Sequence, residues 1–478
     1  MSYLDQTLHL FPETVLAVAG TLIMVLSPTV KNARWLGRIA LFALVLALFG
    51  SHVSYHHGEY MGSAFDGLVT NDAFAILFRQ LFIIVAALAV LSSFDYLKRE
   101  GIETGEYYAL ILFSVVGQGL MACSTDLVMI FIGLEISSIS TYILTGYRRH
   151  DARGIEAALK YFLLGSFATG FLLYGIALVY GATGSTNLAA IRAAIPQANG
   201  PLVAMGAALM FVGMAFKVSG APFQVWTPDV YQGAPTPVTA FMSAAPKAAA
   251  FAMFLRVFLT GLTPAAGYFW LLWGCAVLSM FVGNLGALMQ SNIKRMLAYS
   301  SIAHAGYVLA AFTTRSAMGG AAAIFYLAVY SVTNVGAFLV VAHLAGKDES
   351  TVAISDYRGL GKRHPVLAAC FTIFLLSLLG VPLTGGFFGK FYIVTSAVAA
   401  GLPGLAIITM INSAIGAYYY LRVVVTMYME DAESPAATPA VPASGTLVLI
   451  FTVIGVFALG VFPTMVLEWA SQAADILK

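Results

Sequence analysis

Two stretches of this sequence interrupt apolar segments with proline and glycine, and each carries a lysine. Residues 216–223 read Phe-Lys-Val-Ser-Gly-Ala-Pro-Phe, and residues 380–391 read Gly-Val-Pro-Leu-Thr-Gly-Gly-Phe-Phe-Gly-Lys-Phe. Proline removes a helix hydrogen bond and glycine weakens a helix locally, so both stretches are predicted to unwind. Unwound backbone at membrane depth is tolerated only where protein or a water-filled cavity surrounds it. The two stretches therefore predict two discontinuous helices, with Lys217 and Lys390 beside the breaks.

The composition is that of a polytopic membrane protein. Of the 478 residues, 60% are hydrophobic and only 10% are charged, and the mean hydropathy is +0.87. Soluble globular domains are far less apolar. The net charge of +2 argues against a nucleic-acid partner. The three cysteines lie far apart within apolar runs, which favours small buried fillers over metal ligands or disulfides.

The apolar segments predict an all-α fold with about fourteen transmembrane helices. A spanning helix needs about 20 mostly apolar residues. The segments that meet this condition are 11–28, 36–52, 72–94, 107–123, 126–146, 158–181, 201–232, 237–260, 267–290, 297–313, 319–344, 366–400, 404–428 and 445–468. Two of them, 201–232 and 366–400, contain the predicted breaks.

The basic residues orient these spans. Each loop takes the number of the span that precedes it. Fifteen of the 24 lysines and arginines fall in odd-numbered loops. These are Lys31, Arg34, Arg38, Lys98, Arg99, Arg148, Arg149, Arg153, Lys160, Lys294, Arg295, Lys347, Arg358, Lys362 and Arg363. The even loops hold only Arg192 and Arg315. The positive-inside rule therefore places the odd loops in the cytoplasm and predicts that both termini are periplasmic.

The positions of the breaks predict an internal repeat. Each broken helix is the fourth in a group of five spans, at about 107–260 and 267–428. Five is an odd number, so the second copy is predicted to be inverted relative to the first. The alternative is that the breaks arose independently, because glycine and proline are common in membrane helices. The predicted domains are 1–106 (helices 1–3), 107–260 and 261–428 (two five-helix half-channels), and 429–478 (linker and last helix).

Five titratable residues are predicted to form a row along the membrane midplane. Glu135, Lys247 and His304 each lie about nine or ten residues into a helix, or ~14–15 Å at 1.5 Å per residue. That depth is close to the middle of a ~30 Å hydrocarbon core. Together with Lys217 and Lys390, they predict a row of groups that hold and pass protons. A charge at the bilayer centre costs at least ~2.5–3.5 kcal/mol. The alternative to a proton-carrying role is structural ion pairing between helices, which would offset this cost.

Lysine suits the role of proton carrier because burial readily weakens its hold on the proton, whereas arginine stays charged. His304 taken alone is equally compatible with a satisfied core histidine. The hydroxyls near Glu135 are compatible with water-assisted proton hops, but helix–helix hydrogen bonds are the favoured interpretation for each of them. They belong to Ser137, Ser138, Ser140 and Thr141. Arg79, Arg256 and Arg422 lie nearer span ends, where snorkelling to the interface and a structural role are expected.

A long motif resembles one family of membrane proteins. Residues 222–241 read Pro-Phe-Gln-Val-Trp-Thr-Pro-Asp-Val-Tyr-Gln-Gly-Ala-Pro-Thr-Pro-Val-Thr-Ala-Phe, and Pro246-Lys247 follows. The run is similar to the hallmark of the antiporter-like membrane subunits of respiratory complex I, and the likeness extends over essentially the whole chain. Sister subunits and multisubunit Na⁺/H⁺ antiporters usually have histidine where this chain has Tyr231. One sister subunit has glutamate where this chain has Lys390, and another has a lateral helix that is lacking here.

The resemblance implies roles for the five residues. Glu135 matches the glutamate of the fifth span, which is the partner of the lysine on the first broken helix, here Lys217. Lys247 matches the connecting lysine of the eighth span, His304 a central relay of the tenth, and Lys390 the terminal lysine of the exit half-channel. No residue of this chain is expected to be catalytic in a redox sense.

The resemblance also implies the setting. The chain is expected to be a proton-translocating subunit of an NADH–quinone oxidoreductase in a bacterial inner membrane, beside a neighbouring antiporter-like subunit and small membrane subunits. Flavin, iron–sulfur clusters and quinone are expected in or near partner subunits, with no cofactor and no metal on this chain. The sequence contains no Gly-rich nucleotide loop, cysteine cluster or haem-spaced histidine pair. A cation/proton antiporter subunit and a purely structural scaffold are the alternative functions.

Overall fold

The computed structural model describes residues 3–57, 61–262, 268–431 and 441–475, which form twenty α-helices and one short hairpin. The helices are α1 (Tyr3–Leu8), α2 (Phe11–Leu26), α3 (Ala33–His57), α4 (Ala73–Glu100), α5 (Gly105–Cys123), α6 (Leu127–Thr145), α7 (Ala152–Thr183), α8 (Leu188–Ala194), α9 (Gly200–Lys217), α10 (Thr227–Gly233), α11 (Thr236–Arg256), α12 (Phe269–Leu288), α13 (Ile293–Thr313), α14 (Ala317–Leu344), α15 (Leu360–Arg363), α16 (Pro365–Leu379), α17 (Gly385–Ala399), α18 (Pro403–Met429), α19 (Ala443–Val461) and α20 (Pro463–Ala474). The hairpin pairs β1 (Gly62–Ala64) antiparallel to β2 (Val69–Asn71), with Ser63 opposite Thr70.

The predicted all-α membrane architecture is confirmed. Within the described residues, eleven helices are long and apolar enough to cross a membrane, and α2 and α16 are shorter apolar helices. The count of fourteen spans stays a prediction. The last predicted span, 445–468, is divided in the structure, because α19 ends at Val461 and Pro463 begins α20. Proline has no N–H to continue the first helix but fits the first turn of a new one.

The first break separates α9 from α10. Helix α9 ends at Lys217, and Ser219 takes the left-handed conformation with φ of 63°. The unwound backbone finds partners from outside the helix. The indole of Trp226 donates to the carbonyl of Phe216 at 3.0 Å, and the hydroxyl of Ser279 accepts from Ala221 N at 2.8 Å. The surrounding protein thus supplies partners to the unwound backbone, as a membrane interior requires, whereas the buried Ser219 hydroxyl has no partner among the described residues.

The second break separates α16 from α17 at residues 380–384. Gly380 closes α16 with φ of 91°, where a residue with a Cβ would be strained. The chain then folds back so closely that a Cβ on Gly386 would lie 1.8 Å from the carbonyl oxygen of Ser377. Only glycine permits this approach, so the Gly-Gly pair at the start of α17 fixes how the two half-helices meet.

Among the described helices, α11, α13 and α14 lie in the interior of the bundle, and in α13 every residue except Arg295 and Tyr299 is buried. In the most apolar windows of α11 and α14, 94% and 89% of the residues are buried, against 39% or less in α3, α7, α18 and α19. The less buried helices present their apolar side chains outward, which is what contact with lipid requires. The helices that carry Lys247 and the neighbours of His304 are therefore shielded from the bilayer.

Loops with odd numbers meet at one end of the bundle, which we call the basic end. The ion pairs there are Arg34–Asp95, Arg148–Glu349, Lys294–Glu349 and Arg358–Glu430. Loops with even numbers meet at the other end, which we call the opposite end. The bridges there are Val69–Ser124 and Asp126–Asn187. This separation is what an alternating sequence of spans produces.

Arg79 and Arg256 have the structural role that the sequence favoured for them, and neither snorkels to an interface. Arg79 is 2% exposed, and its Nε donates to Glu13 Oε1 at 2.6 Å. Arg256 is 3% exposed and donates to both carboxylate oxygens of Asp72, at 3.0 and 2.9 Å. A buried guanidinium needs such partners. Both arginines therefore join helices inside the protein near the opposite end.

Candidate functional site: buried titratable side chains

Lys217 is the last residue of α9 and is held by hydroxyl groups of α6. Its side chain is 8% exposed. The amine donates to Ser138 Oγ at 2.8 Å and to Tyr142 OH at 2.9 Å. The break that follows Lys217 ends the helix at this depth, and the amine is thereby left against α6. Tyr142 was not identified from the sequence.

Glu135 does not form the expected ion pair with Lys217. Within the described ranges, no basic nitrogen lies within 4.0 Å of its carboxylate, and its buried Oε1 has no hydrogen-bond partner. The amine of Lys217 instead reaches Ser138, which lies one turn further along α6. The amine of Lys217 therefore contacts the helix that carries Glu135, but two neutral hydroxyls of that helix, and not the carboxylate, bind the amine.

The hydroxyls near Glu135 bond mainly to their own helix. Ser138 donates to Leu134 O at 2.6 Å, and Ser140 donates to Ile136 O at 2.9 Å. Ser137 differs, because its Oγ lies 3.0 Å from Ser114 Oγ on α5. The expected helix–helix hydrogen bond is thus found for Ser137, whereas Ser138 links the helices by accepting from Lys217.

Lys247 lies at the centre of α11 and contacts α13. It is 4% exposed, and its amine donates to the carbonyl oxygen of Ser301 at 3.2 Å and to the Ser301 hydroxyl. The ring centroid of Tyr231 lies 6.0 Å from the amine. Within the part of the chain that the structure describes, no carboxylate lies within 4.0 Å of this amine. Lys247 is therefore a buried amine with hydroxyl and aromatic neighbours.

His304 has a phenol at each ring nitrogen. Nδ1 lies 2.7 Å from Tyr326 OH on α14, and Nε2 lies 3.0 Å from Tyr420 OH on α18. The histidine is 4% exposed. A neutral imidazole donates from one nitrogen and accepts at the other, and a phenol can do either. The two hydrogen bonds can thus be satisfied in either tautomer, which is compatible with a relay.

Lys390 lies six residues beyond the end of the second break. Its amine donates to Leu379 O at 2.9 Å and to Ser413 Oγ at 2.8 Å. The ring centroid of Tyr307 lies 5.0 Å from the amine. The side chain is 9% exposed. Lys390 therefore bridges the end of α16 to α18, next to the aromatic cluster that surrounds His304.

A small cavity joins the first two lysines. It is about 20 Å³ in volume. Its walls include Lys217, Lys247, Ser137, Ser138 and Tyr231. About 10–15 Å³ is enough for one water molecule with polar partners. A single water can therefore connect the surroundings of Lys217 to those of Lys247.

Sequence reasoning missed the tyrosines that surround His304. Tyr326 and Tyr330 lie four residues apart on α14, so both face His304, with the Tyr330 ring centroid 5.2 Å from that of His304. A phenol in the middle of a buried helix usually needs a hydrogen-bond partner. That rule was the available signal for Tyr326 and Tyr330. No comparable signal pointed to Tyr420, which lies 116 residues from its partner.

Among the described residues, no group of three or more histidine, cysteine, aspartate or glutamate side chains has the arrangement of a metal site. Cys123 and Cys275 are buried, Cys370 is half-buried, and all three are free thiols.

The fold and these buried side chains are those of a polytopic helical membrane protein with titratable residues in its interior. The family model described as "NADH:quinone oxidoreductase/Mrp antiporter, TM" matches residues 124–416. The chain belongs to this family.

Individual relatives and solved structures show which proteins this chain is similar to. NADH-quinone oxidoreductase subunit N 1 of Solibacter usitatus is 54% identical over 480 residues, covering 99% of this chain and 98% of that protein. A chain of respiratory complex I from Thermus thermophilus with bound aureothin has a TM-score of 0.82 at 36% identity, covering 96% of this chain and 98% of that one. A chain of the Mrp complex from Dietzia has a TM-score of 0.87 at 20% identity, covering 100% and 98%. At that identity the last comparison shows the fold alone.

Proposed function

We propose that this chain is the proton-translocating subunit N of an NADH–quinone oxidoreductase. It conveys protons along the row of Glu135, Lys217, Lys247, His304 and Lys390. The observation that carries the proposal is the set of partners of the three lysines. Each amine binds a hydroxyl group, and no carboxylate of the described residues lies within 4.0 Å of any of them.

Hydroxyl partners suit a group that changes its protonation state. A serine or tyrosine hydroxyl accepts a hydrogen bond from an ammonium and donates one to a neutral amine. A carboxylate only accepts, and its charge would hold the lysine protonated. The lysines are thus satisfied in both states, whereas a scaffold role favours permanent ion pairs such as Arg79–Glu13.

Glu135 supplies the controlling charge in this mechanism. Its carboxylate lies on the helix that holds Lys217, one turn from Ser138. Movement of Glu135 toward the amine would favour the ammonium, and movement away would favour release of the proton. A proton released from Lys217 would reach Lys247 through the cavity that both side chains border, and would pass from there through His304 to Lys390.

The finer architecture is part of the proposal. We infer fourteen spans, with helices 1–3 in 1–106, two inverted five-helix half-channels in 107–260 and 261–428, and a linker with the last helix in 429–478. The presence of a lysine beside each break supports the repeat. Lys217 comes just before the break between α9 and α10, and Lys390 comes after the break between α16 and α17. The distribution of basic residues supports periplasmic termini in a bacterial inner membrane. The C-terminal Lys478 lies outside the described residues.

Partner subunits complete the enzyme. Electron transfer from NADH to quinone is assigned to other subunits, which would hold flavin and iron–sulfur clusters, with quinone in or near them. The expected neighbours are another antiporter-like subunit and small membrane subunits, as in the multisubunit assemblies of the similar structures.

The deciding experiment is proton uptake by vesicles that contain the assembled complex, driven by NADH oxidation, with Lys247→Met beside the wild type. We expect the variant complex to assemble and to pump little or nothing. Undiminished pumping would refute the proposal that protons pass along this row of residues. A scaffold predicts failed assembly instead, and a cation antiporter predicts pumping that depends on Na⁺ at constant pH.

A further inference from the structure

A groove between α16 and α19 opens toward the outside of the bundle. Its volume is about 530 Å³. Leu367 on α16 and Leu449 on α19 line it and are buried, whereas Val366, Ile450 and Ile454 line it and are more than half exposed. The groove is therefore apolar over most of its length, and it lies where these two helices face the bilayer.

The groove covers the depth of one lipid leaflet. Helix α19 begins at the basic end, where the hydroxyl of Ser444 donates to Asp95 Oδ2 at 3.1 Å. Ile454 lies ten residues beyond Ser444 on this helix, or ~15 Å at 1.5 Å per residue. Half of a ~30 Å hydrocarbon core is also ~15 Å. The groove therefore extends from the basic end to about the membrane midplane.

A cation lies at the basic end of the groove. Arg363 lines the groove there, and its Nη2 donates to the carbonyl oxygen of Arg358 at 2.7 Å. Its Nε has no hydrogen-bond partner among the described residues. The neighbouring Arg358 and Lys362 form ion pairs with Glu430 and Asp431, whereas no carboxylate of the described residues lies within 4.0 Å of the Arg363 guanidinium. The charge of Arg363 is therefore available to an anion in the groove.

Helix α16 adds positive potential at the same place. It begins with Pro365, directly after His364, and both residues line the groove. The first N–H groups of a helix lack partners within it, and that end carries partial positive charge. An anionic group is thus favoured at the basic end of the groove, whereas the other end, at Ile454, is apolar. The groove has the polarity of a single amphiphilic molecule.

The side chains of α19 favour a lipid over a helix of another protein as the occupant. Helices in membranes pack against one another through small residues. On α19 such residues face this chain, because a Cβ on Gly455 would lie 2.8 Å from Val332 Cγ1 and a Cβ on Gly460 would lie 2.2 Å from Leu383 O. The face toward the groove instead carries threonine, leucine, isoleucine and valine. These branched side chains suit contact with acyl chains.

We propose that this groove binds one anionic phospholipid of the leaflet at the basic end. The phosphodiester contacts Arg363 and the first turn of α16, and an acyl chain lies between α16 and α19. The positive-inside rule predicts that this end is cytoplasmic, and the cytoplasmic leaflet carries the anionic lipids that basic pockets between transmembrane helices bind.

The test uses the assembled complex in phosphatidylcholine vesicles that contain a trace of phosphatidylglycerol with a photoactivatable group on its acyl chain. Illumination attaches this lipid to the residues beside it, and mass spectrometry of peptides locates the label. Labelling of 365–370 and 446–454 is measured relative to that of the lipid-facing helix α7. We expect this ratio to be about fivefold higher than with phosphatidylcholine that carries the same group, the factor that one basic residue supplies at an anionic surface.

Variants separate the charge from the groove. Arg363→Gln should lower the ratio about fivefold, and Arg363→Lys should keep most of it. Lys362→Gln is the matched control, because it removes the same charge one residue away from a side chain that is already paired with Asp431. Ile450→Trp should fill the groove and reduce labelling by both lipids. Ile411→Trp is its control, since Ile411 is similarly exposed on α18.

Three results would overturn the proposal. Equal labelling of the groove by the two lipids in the wild type would mean ordinary boundary lipid. Absence of label from the groove, with α7 labelled, would mean that a partner subunit covers it. An unchanged preference for phosphatidylglycerol in Arg363→Gln would remove the headgroup contact. Recovery of intact complex is measured for each variant, and the comparison of the two lipids on the wild type needs no variant.

Discussion

The amine of Lys390 donates a 2.9 Å hydrogen bond to the carbonyl oxygen of Leu379, the last residue of α16. The final carbonyls of a helix lack partners within it, and that end of the helix carries partial negative charge. The break between α16 and α17 thus creates the acceptor that holds the buried amine. The lysine and the break are one structural unit.

Replacement of Lys390 tests that unit. In Lys390→Met the carbonyl of Leu379 loses the hydrogen bond from the amine and keeps only the longer one from Ser413 Oγ at 3.4 Å, which should cost about 1 kcal/mol of stability. We expect an assembled complex with strongly reduced proton pumping, measured as vesicle acidification per NADH oxidised. If the variant pumps as many protons per NADH oxidised as the wild type, Lys390 is not part of the proton path.

Lys217→Arg should preserve the charge and the hydrogen bonds to Ser138 and Tyr142 but impair pumping, since arginine does not release its proton. The measurement is pumping normalised to assembled complex. Lys362→Arg is the control, because Lys362 lies on the surface in an ion pair with Asp431. If the two arginine variants pump alike, Lys217 is not a carrier.

Gly386→Ala should disturb the second break. The added Cβ would lie 1.8 Å from Ser377 O, so the half-helices must separate, at a cost of about 1–3 kcal/mol or more. Gly170→Ala on α7 is the matched control, since a Cβ there meets nothing within 4 Å. We expect a lower midpoint of thermal unfolding for Gly386→Ala alone. Equal midpoints would mean that the break tolerates a side chain.

Glu349 should make stability depend on pH. Burial by itself would raise the pKa of Glu349, but the Lys294 ammonium and hydrogen bonds from Lys294, Thr236 and Tyr96 hold the pKa below its ordinary value. The carboxylate therefore stabilises the fold above the unfolded pKa of about 4.3, and this stabilisation is lost as the pH falls through the folded pKa.

Glu349→Gln is accordingly expected to cost about 3–5 kcal/mol near pH 7, because it leaves Lys294 buried without its counter-charge. Thermal unfolding of the purified complex should show the gap to wild type closing below about pH 4. Adding Lys294→Met should recover part of the loss. A gap that is constant with pH would show that the ionised carboxylate is not the stabilising species.

The orientation can be measured with reporter fusions. The excess of basic residues at one end of the bundle predicts that loop 346–364 is cytoplasmic and that the terminus at Lys478 is periplasmic. Fusions at the two sites should give opposite signals. Signals of the same kind at both would contradict the three spans predicted between the two sites, and with them the fourteen-span arrangement.

The breaks were predictable because glycine and proline act locally on the backbone. The positions of Lys247 and His304 near the middle of their helices followed from counting residues along continuous helices. The partners did not follow, since they come from other helices. Lys217 binds hydroxyls of α6 instead of Glu135, and the phenols at His304 come from α14 and α18. Such contacts depend on how helices rotate against one another, which apolar periodicity leaves undetermined when a helix is apolar on all sides.

The burial of α11 and α14 has an electrical consequence. A ring of lipid-facing helices surrounds them, so the interior of the bundle is a poorly polarisable medium in which a charge is weakly screened. A proton gained by Lys247 is therefore felt at His304 and Lys390 more strongly than the same charge would be felt in water. The outer helices thus act as electrical insulation, so that charges on buried side chains of the interior interact without direct contact.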